Sequence, residues 1–408
     1  MKKLHLFFSS FSQNLFSSFM LVVIMSVALI AVQNVIGQYR YINFSKYIIE
    51  NDYLKNSDYF MLDMLSLPPE YDKQLEYSNS IRENISAFNG VDGVAYTKNS
   101  TVEYRSVNIN LSMYNESMKK AFKKQLSEGK WFTSQSFTDN MPNVVICGAI
   151  FDDIPINSDI IIKLNGNKNI VEQKVHVIGK IAYPYFSADY NTISQNVSTQ
   201  NFLVQANFVI FDDNKQTQEL LNKYINMSSL SFSYFVIYKS DCTQSQREEV
   251  RDYMDTVGSY ADYDKILYNT EKEIRENIVK QMITPIFLLI VSTILLISIA
   301  TLNTYKKLRE HTIYYLCGCS RKNSFGYLFC EISIITLIAT LINIFYVSYV
   351  IGLLKSGQMG YNQSIIDYNN ILLSVVYCIF TVAVTIILPF LVYRKNTPIE
   401  IYRRNHND

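Results

Sequence analysis

Charged residues avoid four stretches of this 408-residue chain and crowd into the rest. No Asp, Glu, Lys or Arg lies between His5 and Arg40, and three further charge-free gaps cover residues 281–305, 332–354 and 368–393. Each gap is long enough to cross a hydrocarbon core of about 30 Å as a helix of roughly 20 residues. The pattern predicts a membrane protein with four transmembrane helices at 19–37, 281–305, 325–354 and 368–393, with a large domain at 38–280 between the first and the second. The flanking pieces are an amphipathic segment at 1–18, loops at 306–324 and 355–367, and a tail at 394–408. A cleavable signal peptide also has a basic start and an apolar centre, but the first charge-free run exceeds a usual signal core.

Within 38–280 the apolar spacing changes repeatedly. Residues 39–65 keep mostly helical spacing, become strand-like from Tyr59, and stop before Pro68-Pro69. Residues 72–88 read as a helix with Ile81, Ile85 and Phe88 on one face, followed by turn signals at Asn89-Gly90 and Asp92-Gly93. A hairpin is expected from 94–96 and 102–107 around Lys98 to Thr101. A short amphipathic helix follows at 118–127. Strands are expected at 143–147, 159–164 and 174–181, with Asn165-Gly166 turning between the last two, and again at 202–210 and 234–238. A helix at 243–260 places Val250, Met254 and Val257 in register. A charged helix at 270–281 runs into the second span and, with 39–53, forms a helical stalk. The expected domain is α+β in two lobes, 50–110 plus 230–265, and 111–229. Pro285 and Pro389 are expected to kink their spans.

Charge orients the chain. Lys2 and Lys3 precede the first span, Lys306, Lys307, Arg309, Arg321 and Lys322 fill the second loop, and Arg394, Lys395, Arg403 and Arg404 follow the last span. The loop between spans three and four has only Lys355. An excess of basic residues marks the cytoplasmic side, so both termini and the second loop are expected inside and the large domain outside. Residues 38–280 carry 25 Lys+Arg against 31 Asp+Glu, while the remainder is net +7, together the chain's +1.

Chemistry is sparse. The chain has no Gly-x-x-x-x-Gly-Lys-Ser/Thr phosphate loop, no His-Glu-x-x-His and no Gly-x-Ser-x-Gly, and its four histidines are well separated. No enzyme activity, cofactor or metal site is expected in this chain, and nothing in it suggests nucleic acid. His176 reads as a structural strand residue. Glu331, near the inner end of the third span, reads as an interfacial acid rather than an intramembrane one. Cys147 and Cys242 leave a disulfide open, and Cys317-Gly-Cys319 lacks the second pair that a metal site needs.

One loop is more specific. Residues 304–323 hold Arg309-Glu310, Ile313, Leu316, Gly318 and Ser320-Arg321, which resemble the Arg-Glu-x-x-Ile start and Leu-Gly-Ala-Ser-Arg-like turn of FtsX/MacB-type ABC transporter permeases. Cys317 and Cys319 stand where that family usually has Ala. In the large domain, Leu126-Ser-Glu-Gly-Lys-Trp-Phe132, Val144-Val-Ile-Cys-Gly148, 159–166 and 175–180 resemble, in order, the motifs of the MacB periplasmic core, with Lys130 in place of Arg. The Pro398-containing tail is also similar. The resemblance implies a permease subunit in a bacterial plasma membrane, a separate ABC ATP-binding subunit that carries Mg-ATP, and a dimer with itself or a related permease. It implies that Arg309, Glu310, Ile313, Leu316, Gly318 and Arg321 form the ATPase-coupling element, and that a peptide, lipopeptide or toxin is exported or extracted by mechanotransmission. The alternative within the same fold is an FtsX-like regulator of an extracellular cell-wall hydrolase. A membrane-anchored sensor or adhesion protein would leave the loop motif without a purpose.

Overall fold

The computed structural model describes residues 15–50, 53–132, 136–165, 170–188, 197–225, 232–316, 321–356 and 364–395. These fall into two compact units. One holds the chain up to Ile36, Val279–Ile351 and the chain from Ile366; the other holds Gly37–Ile278 and Gly352–Ile365.

The first unit is helical. It is built from α1 (Leu15–Ile49) as far as Ile36, α7 (Val279–Leu316), α8 (Arg321–Lys355) as far as Ile351 and α9 (Tyr368–Lys395), each helix being long and apolar enough to cross a membrane. Leu21, Met25, Leu296, Ala300, Ile335 and Ala339 form its buried core. Other large apolar side chains point outward, among them Phe345 at 75% and Ile379 at 65% exposure. A surface so apolar is stable in lipid, not in water. Hydroxyls in the spans bond back to their own helix, as Thr304 does to the Ala300 carbonyl at 2.7 Å and Thr340 to Thr336 at 2.8 Å. Both Pro285 and Pro389 lie inside their helices.

The second unit contains β1 (Ser57–Leu62), α2 (Tyr71–Ala87), β2 (Val91–Ala95), β3 (Thr97–Tyr104), β4 (Val107–Tyr114), α3 (Glu116–Ala121), β5 (Leu126–Gly129), β6 (Phe137–Thr138), β7 (Met141–Cys147), β8 (Asp159–Asn165), β9 (Ile170–Ile181), β10 (Phe186–Ala188), β11 (Leu203–Gln205), β12 (Phe208–Asp212), α4 (Lys215–Leu221), β13 (Ser233–Tyr238), α5 (Gln244–Val257), β14 (Gly258–Asp262) and α6 (Tyr263–Glu273). The smaller sheet has the order β14-β1-β13-β2. Phe60, Leu62, Val94, Tyr234 and Val236 on one of its faces pack under Ile81 and Ile85 of α2 and Val250 and Met254 of α5. The 3.6-residue spacing read from those helices is the spacing of this core. Thr243 caps α5 with a reciprocal Gln246 bond.

The larger sheet runs β5-β9-β8-β3-β4-β12-β7-β6, and an additional β7–β9 pairing closes six of its strands into a ring. Val102 and Tyr104, Ile109 and Leu111, Ile160 and Ile162, Val175 and Val177, and Val209 and Phe211 all alternate into one core. Closure covers the edges that β7 and β9 would otherwise leave open to each other's side of the sheet.

Several expectations change. Lys98 to Thr101 is not a turn but the middle of β3, and the hairpin turns at Arg105 and Ser106, whose φ values of 51° and 63° are left-handed. Asp92-Gly93 lies within β2, leaving Asn89-Gly90 as the turn. Residues 97–110 therefore belong with the larger sheet, so the first lobe's opening stretch ends near Ala95 rather than at 110. The expected strand at 202–210 is two strands, β11 and β12, interrupted at Ala206-Asn207. The helix expected at 118–127 is α3, a short 3-10 turn and β5. Cys147 and Cys242 are both free thiols. The turn at Gly166, the segment before residue 15, Cys317 to Ser320 and the Pro398 tail lie outside the described residues.

Candidate functional site: the stalk junction, the bundle tie and the coupling helix

The stalk is made of the outer end of α1 and of α6, joined by the Lys46–Glu271 ion pair at 3.2 Å. Between them sits a segment that the sequence did not single out. A 3-10 turn at Thr199–Phe202 leads into β11, which pairs with β10. Tyr41 of α1, 1% exposed, donates its hydroxyl to the carbonyls of Gln200, at 2.8 Å, and Leu203, and its ring lies 5.1 Å from that of Phe186. From α6, the Thr270 hydroxyl accepts the Thr199 amide at 3.0 Å, and the Glu273 carboxylate accepts the Ser198 hydroxyl at 2.8 Å and the Gln200 amide. The segment is thus held by both stalk helices at once.

It also reaches both sheets. Phe202, fully buried, places its ring 4.7 Å from Tyr59 of β1 and 4.7 Å from Phe235 of β13, covering the face of the smaller sheet opposite its helices. On the other side, the Tyr114 hydroxyl of β4 meets Ser187 Oγ at 2.8 Å and accepts the Ala188 amide at 3.0 Å. One packed aromatic and hydrogen-bonded cluster therefore joins both stalk helices to both sheets. Burial, helped by Glu50 and Asp264, pushes the Tyr263 phenol at the start of α6 up to about 12, so it stays protonated at neutral pH. After α6 the helix widens into a single π turn, Ile274–Ile278, before α7 begins. Such turns recur at functional positions in helices.

Lys355 at the end of α8 and Ser364-Ile365 before α9 also pack on this unit. The Ile365 amide donates to the Gly37 carbonyl at 3.0 Å, and a Cβ at Gly37 would meet Ser364 Oγ at 2.1 Å. Lys355 lies 3.8 Å from Asp152.

Inside the helical unit, a polar tie that the charge pattern could not reveal joins three spans. Gln33 Nε2 of α1 lies 2.5 Å from Asn343 Oδ1 of α8, 2.6 Å from Ser374 Oγ and 3.0 Å from the Asn370 carbonyl of α9. Ser374 in turn donates to Asn343 at 2.8 Å. Gln33, Asn343 and Ser374 are fully buried. With two hydrogens facing three acceptors, Gln33 shares its bonds, and buried Gln33 Oε1 and Asn343 Nδ2 have no hydrogen-bond partner among the described residues. Polar side chains of this kind hold transmembrane helices together. The fourth span joins through Thr293 of α7 and Tyr377 of α9, whose hydroxyls are 3.2 Å apart. Glu331 is 5% exposed, so this acid is buried rather than at an open interface.

Of the residues expected to couple to an ATPase, Arg309, Glu310, Ile313 and Leu316 occupy the last two turns of α7, and Arg321 opens α8. Gly318 lies outside the described residues. Residues 306–316 are therefore a direct extension of the span-two helix rather than a separate short helix. Positions 309, 313 and 316 follow the i, i+4, i+7 spacing of one helical face. The His176 expectation holds, since Nδ1 lies 2.7 Å from Asp159 Oδ1. Among the described residues no cluster of His, Cys, Asp and Glu could hold a metal.

No protein-family model matches the chain, and none of the curated proteins matches it in sequence. Solved structures do. The chain is similar to the extracellular domain of the noncanonic ABC-type transporter YknZ from Gram-positive bacteria, at 13% identity and a TM-score of 0.29, over 50% of this chain and 96% of that one. It is also similar to the periplasmic region of MacB from Actinobacillus actinomycetemcomitans, at 15% identity and a TM-score of 0.31, over 57% of this chain and 98% of that one. Both neighbours are the regions of their proteins that lie outside the membrane.

Proposed function

We propose that this chain is the permease subunit of a bacterial ABC transporter and works by mechanotransmission. A separate ATP-binding subunit hydrolyses Mg-ATP and moves the end of α7, and the motion reaches the large unit through the stalk. The observation that supports this reading is the helical course from Tyr263 to Leu316, through α6, the π turn and α7, with no loop between. At about 1.5 Å per residue its contour is on the order of 80 Å. One end carries the Arg309 to Leu316 element, and the other is clasped by the Thr199–Phe202 turn. The tie at Gln33 packs three of the spans together through uncharged side chains, which suits a lever better than a pore.

In this reading both termini are cytoplasmic, the large unit is extracytoplasmic, and the complex holds two permeases, identical or related, and two ATPases. The substrate is a peptide, lipopeptide or toxin outside or in the outer leaflet, exported or extracted. The coupling element comprises Arg309, Glu310, Ile313, Leu316, Gly318 and Arg321, with Ile313 and Leu316 as apolar anchors and Arg309, Glu310 and Arg321 at a polar rim. The test is purification of the tagged chain from its native membrane and assay of Mg-ATP hydrolysis in the product. ATPase activity should accompany the wild type and be lost with Ile313→Asp plus Leu316→Asp, while the thermal unfolding of the large unit stays the same. A folded double variant that retains the full activity refutes the docking face.

A further inference from the structure

The Thr199–Phe202 turn and the β10–β11 pair form a clasp that the two stalk helices hold in different ways. On the α6 side the hold is polar. Asn269 donates to the Val197 carbonyl at 3.0 Å, and the Thr270 hydroxyl accepts the Thr199 amide at 3.0 Å while donating to the Ile266 carbonyl at 2.8 Å. Glu273 accepts from the Ser198 hydroxyl at 2.8 Å and from the Gln200 side-chain amide, and bonds to a carboxylate are the stronger kind. On the α1 side the Tyr41 hydroxyl has a single hydrogen to share between the carbonyls of Gln200 and Leu203. Aromatic packing supplies more of the contact, since the Phe186 ring lies 5.1 Å from Tyr41 and 5.1 Å from Phe44.

Into this apolar contact the fold puts an amide. Gln205 of β11 stands directly opposite Phe186 of β10, so both side chains rise from the same face of the pair, the face whose aromatic ring packs against α1. Gln205 is 2% exposed, and its Oε1 and Nε2 are both buried with no hydrogen-bond partner among the described residues. An amide with neither end matched destabilises the contact that buries it, and the penalty is relieved when that contact opens to water. A methionine of nearly the same length would carry no such penalty. Since Gln205 shares its face with Phe186, the penalty falls on the docking of α1 and not on the bonds from α6. We propose that Gln205 is a release point, which makes α1 the stalk helix that parts from the clasp while α6 stays locked to it. The opening is local and reversible, of the kind from which moving elements are drawn. The clasp and α6 then travel as one piece, and α1 shifts against them. The proposal rests on reading α1 and α6 as a stalk, and it is measured without an ATPase, so its failure and that of the coupling face are told apart.

The experiment uses the full-length protein in detergent micelles. Ser45, 0% exposed and one turn beyond Tyr41 on the same face of α1, is replaced by cysteine, and maleimide labelling of the peptide that contains it is timed by mass spectrometry. Adding Gln205→Met should slow that labelling by about tenfold or more, the usual effect of removing an unmatched buried polar group. Ile266→Cys, equally buried and one turn before Thr270 on α6, should label at least about tenfold more slowly than the thiol at position 45. Where Ser45→Cys does not fold, hydrogen exchange of the amides at 186–188 and 203–205 decides instead, and Gln205→Met alone should slow it by about tenfold. Labelling or exchange that Gln205→Met quickens, or leaves within about threefold of its starting rate, overturns the proposal. So does a thiol at position 266 that labels as fast as the one at 45.

Discussion

Phe202 is where the stalk junction can be tested most directly. Replacing it with Ala removes a fully buried ring that lies 4.7 Å from both Tyr59 and Phe235. Phe→Ala changes in cores cost about 3–5 kcal/mol, of which each aromatic pair contributes about 0.5–1.5 kcal/mol. Phe202→Leu keeps most of the volume and loses the ring pairs, so about 1–3 kcal/mol is expected. Local opening of the β10–β11 pair should then become easier, and 3 kcal/mol corresponds to roughly a hundredfold faster exchange of its amides. The assay is hydrogen exchange of the full-length protein in detergent, followed at residues 186–188 and 203–205. Protection in the β7–β9 ring serves as the internal reference, because its core contains neither Phe202 nor its ring partners. An Ala variant whose 186–188 and 203–205 amides exchange within threefold of wild type, in a folded protein, would falsify the claim that Phe202 locks the clasp to the smaller sheet.

Three further predictions follow from buried groups. Asp58, fully buried, accepts Arg251 Nε at 2.7 Å and Nη2 at 2.8 Å and the Tyr238 hydroxyl at 2.7 Å, so Asp58→Asn should destabilise the large unit by about 3–5 kcal/mol, read by urea unfolding. Replacing the trio together by Asp58→Leu, Arg251→Met and Tyr238→Phe should recover at least half of that loss. Burial tends to raise the Asp212 carboxyl, but bonds from Ser136, Asn214 and Lys119 outweigh it and hold the group below the usual carboxylate range. A depressed folded-state value means that its stabilisation is present above the ordinary value of about 4 and is lost as pH falls below it. Urea midpoints measured from pH 6 to pH 3 should therefore fall less steeply in Asp212→Asn than in wild type. Burial also pushes the Cys147 thiol far above its usual range, so maleimide should modify Cys147 only after unfolding, and both Cys147 and Cys242 should label in denaturant without a reductant.

The spans were legible because the absence of charge over twenty or more residues is a property of composition and needs no partner. The helices α2 and α5 were legible for a related reason, since their core faces repeat at the helical period. The strands near residue 100 were misread where local polarity and tertiary context disagree. Lys98-Asn-Ser-Thr101 looks like a turn, yet its hydroxyl and amide side chains suit the half-exposed course of β3, and the true turn uses Arg105 and Ser106 without a glycine to announce it. The clasp could not be read at all. Tyr41, Phe186, Phe202 and Thr270 are ordinary residues that acquire a role only because the fold brings four distant segments together. Gln33 and Asn343 were passed over because a search for charges does not count amides. For the coupling residues, the sequence supplies a motif and the structure adds only that four of them end one helix.

The π turn at Ile274–Ile278 has a consequence for how this helix tolerates change in length. A π turn accommodates one residue more than an α turn while the helix on either side keeps its own phase. Deleting one residue within 274–278 should let that turn close to α geometry and leave both the Thr270 face and the span-two face where they are. The same deletion anywhere in 279–302 would rotate everything beyond it by about 100° and present the wrong side of α7 to α9. The rod therefore carries a slack link between Glu273 and Val279, where a residue can be lost without retuning either end.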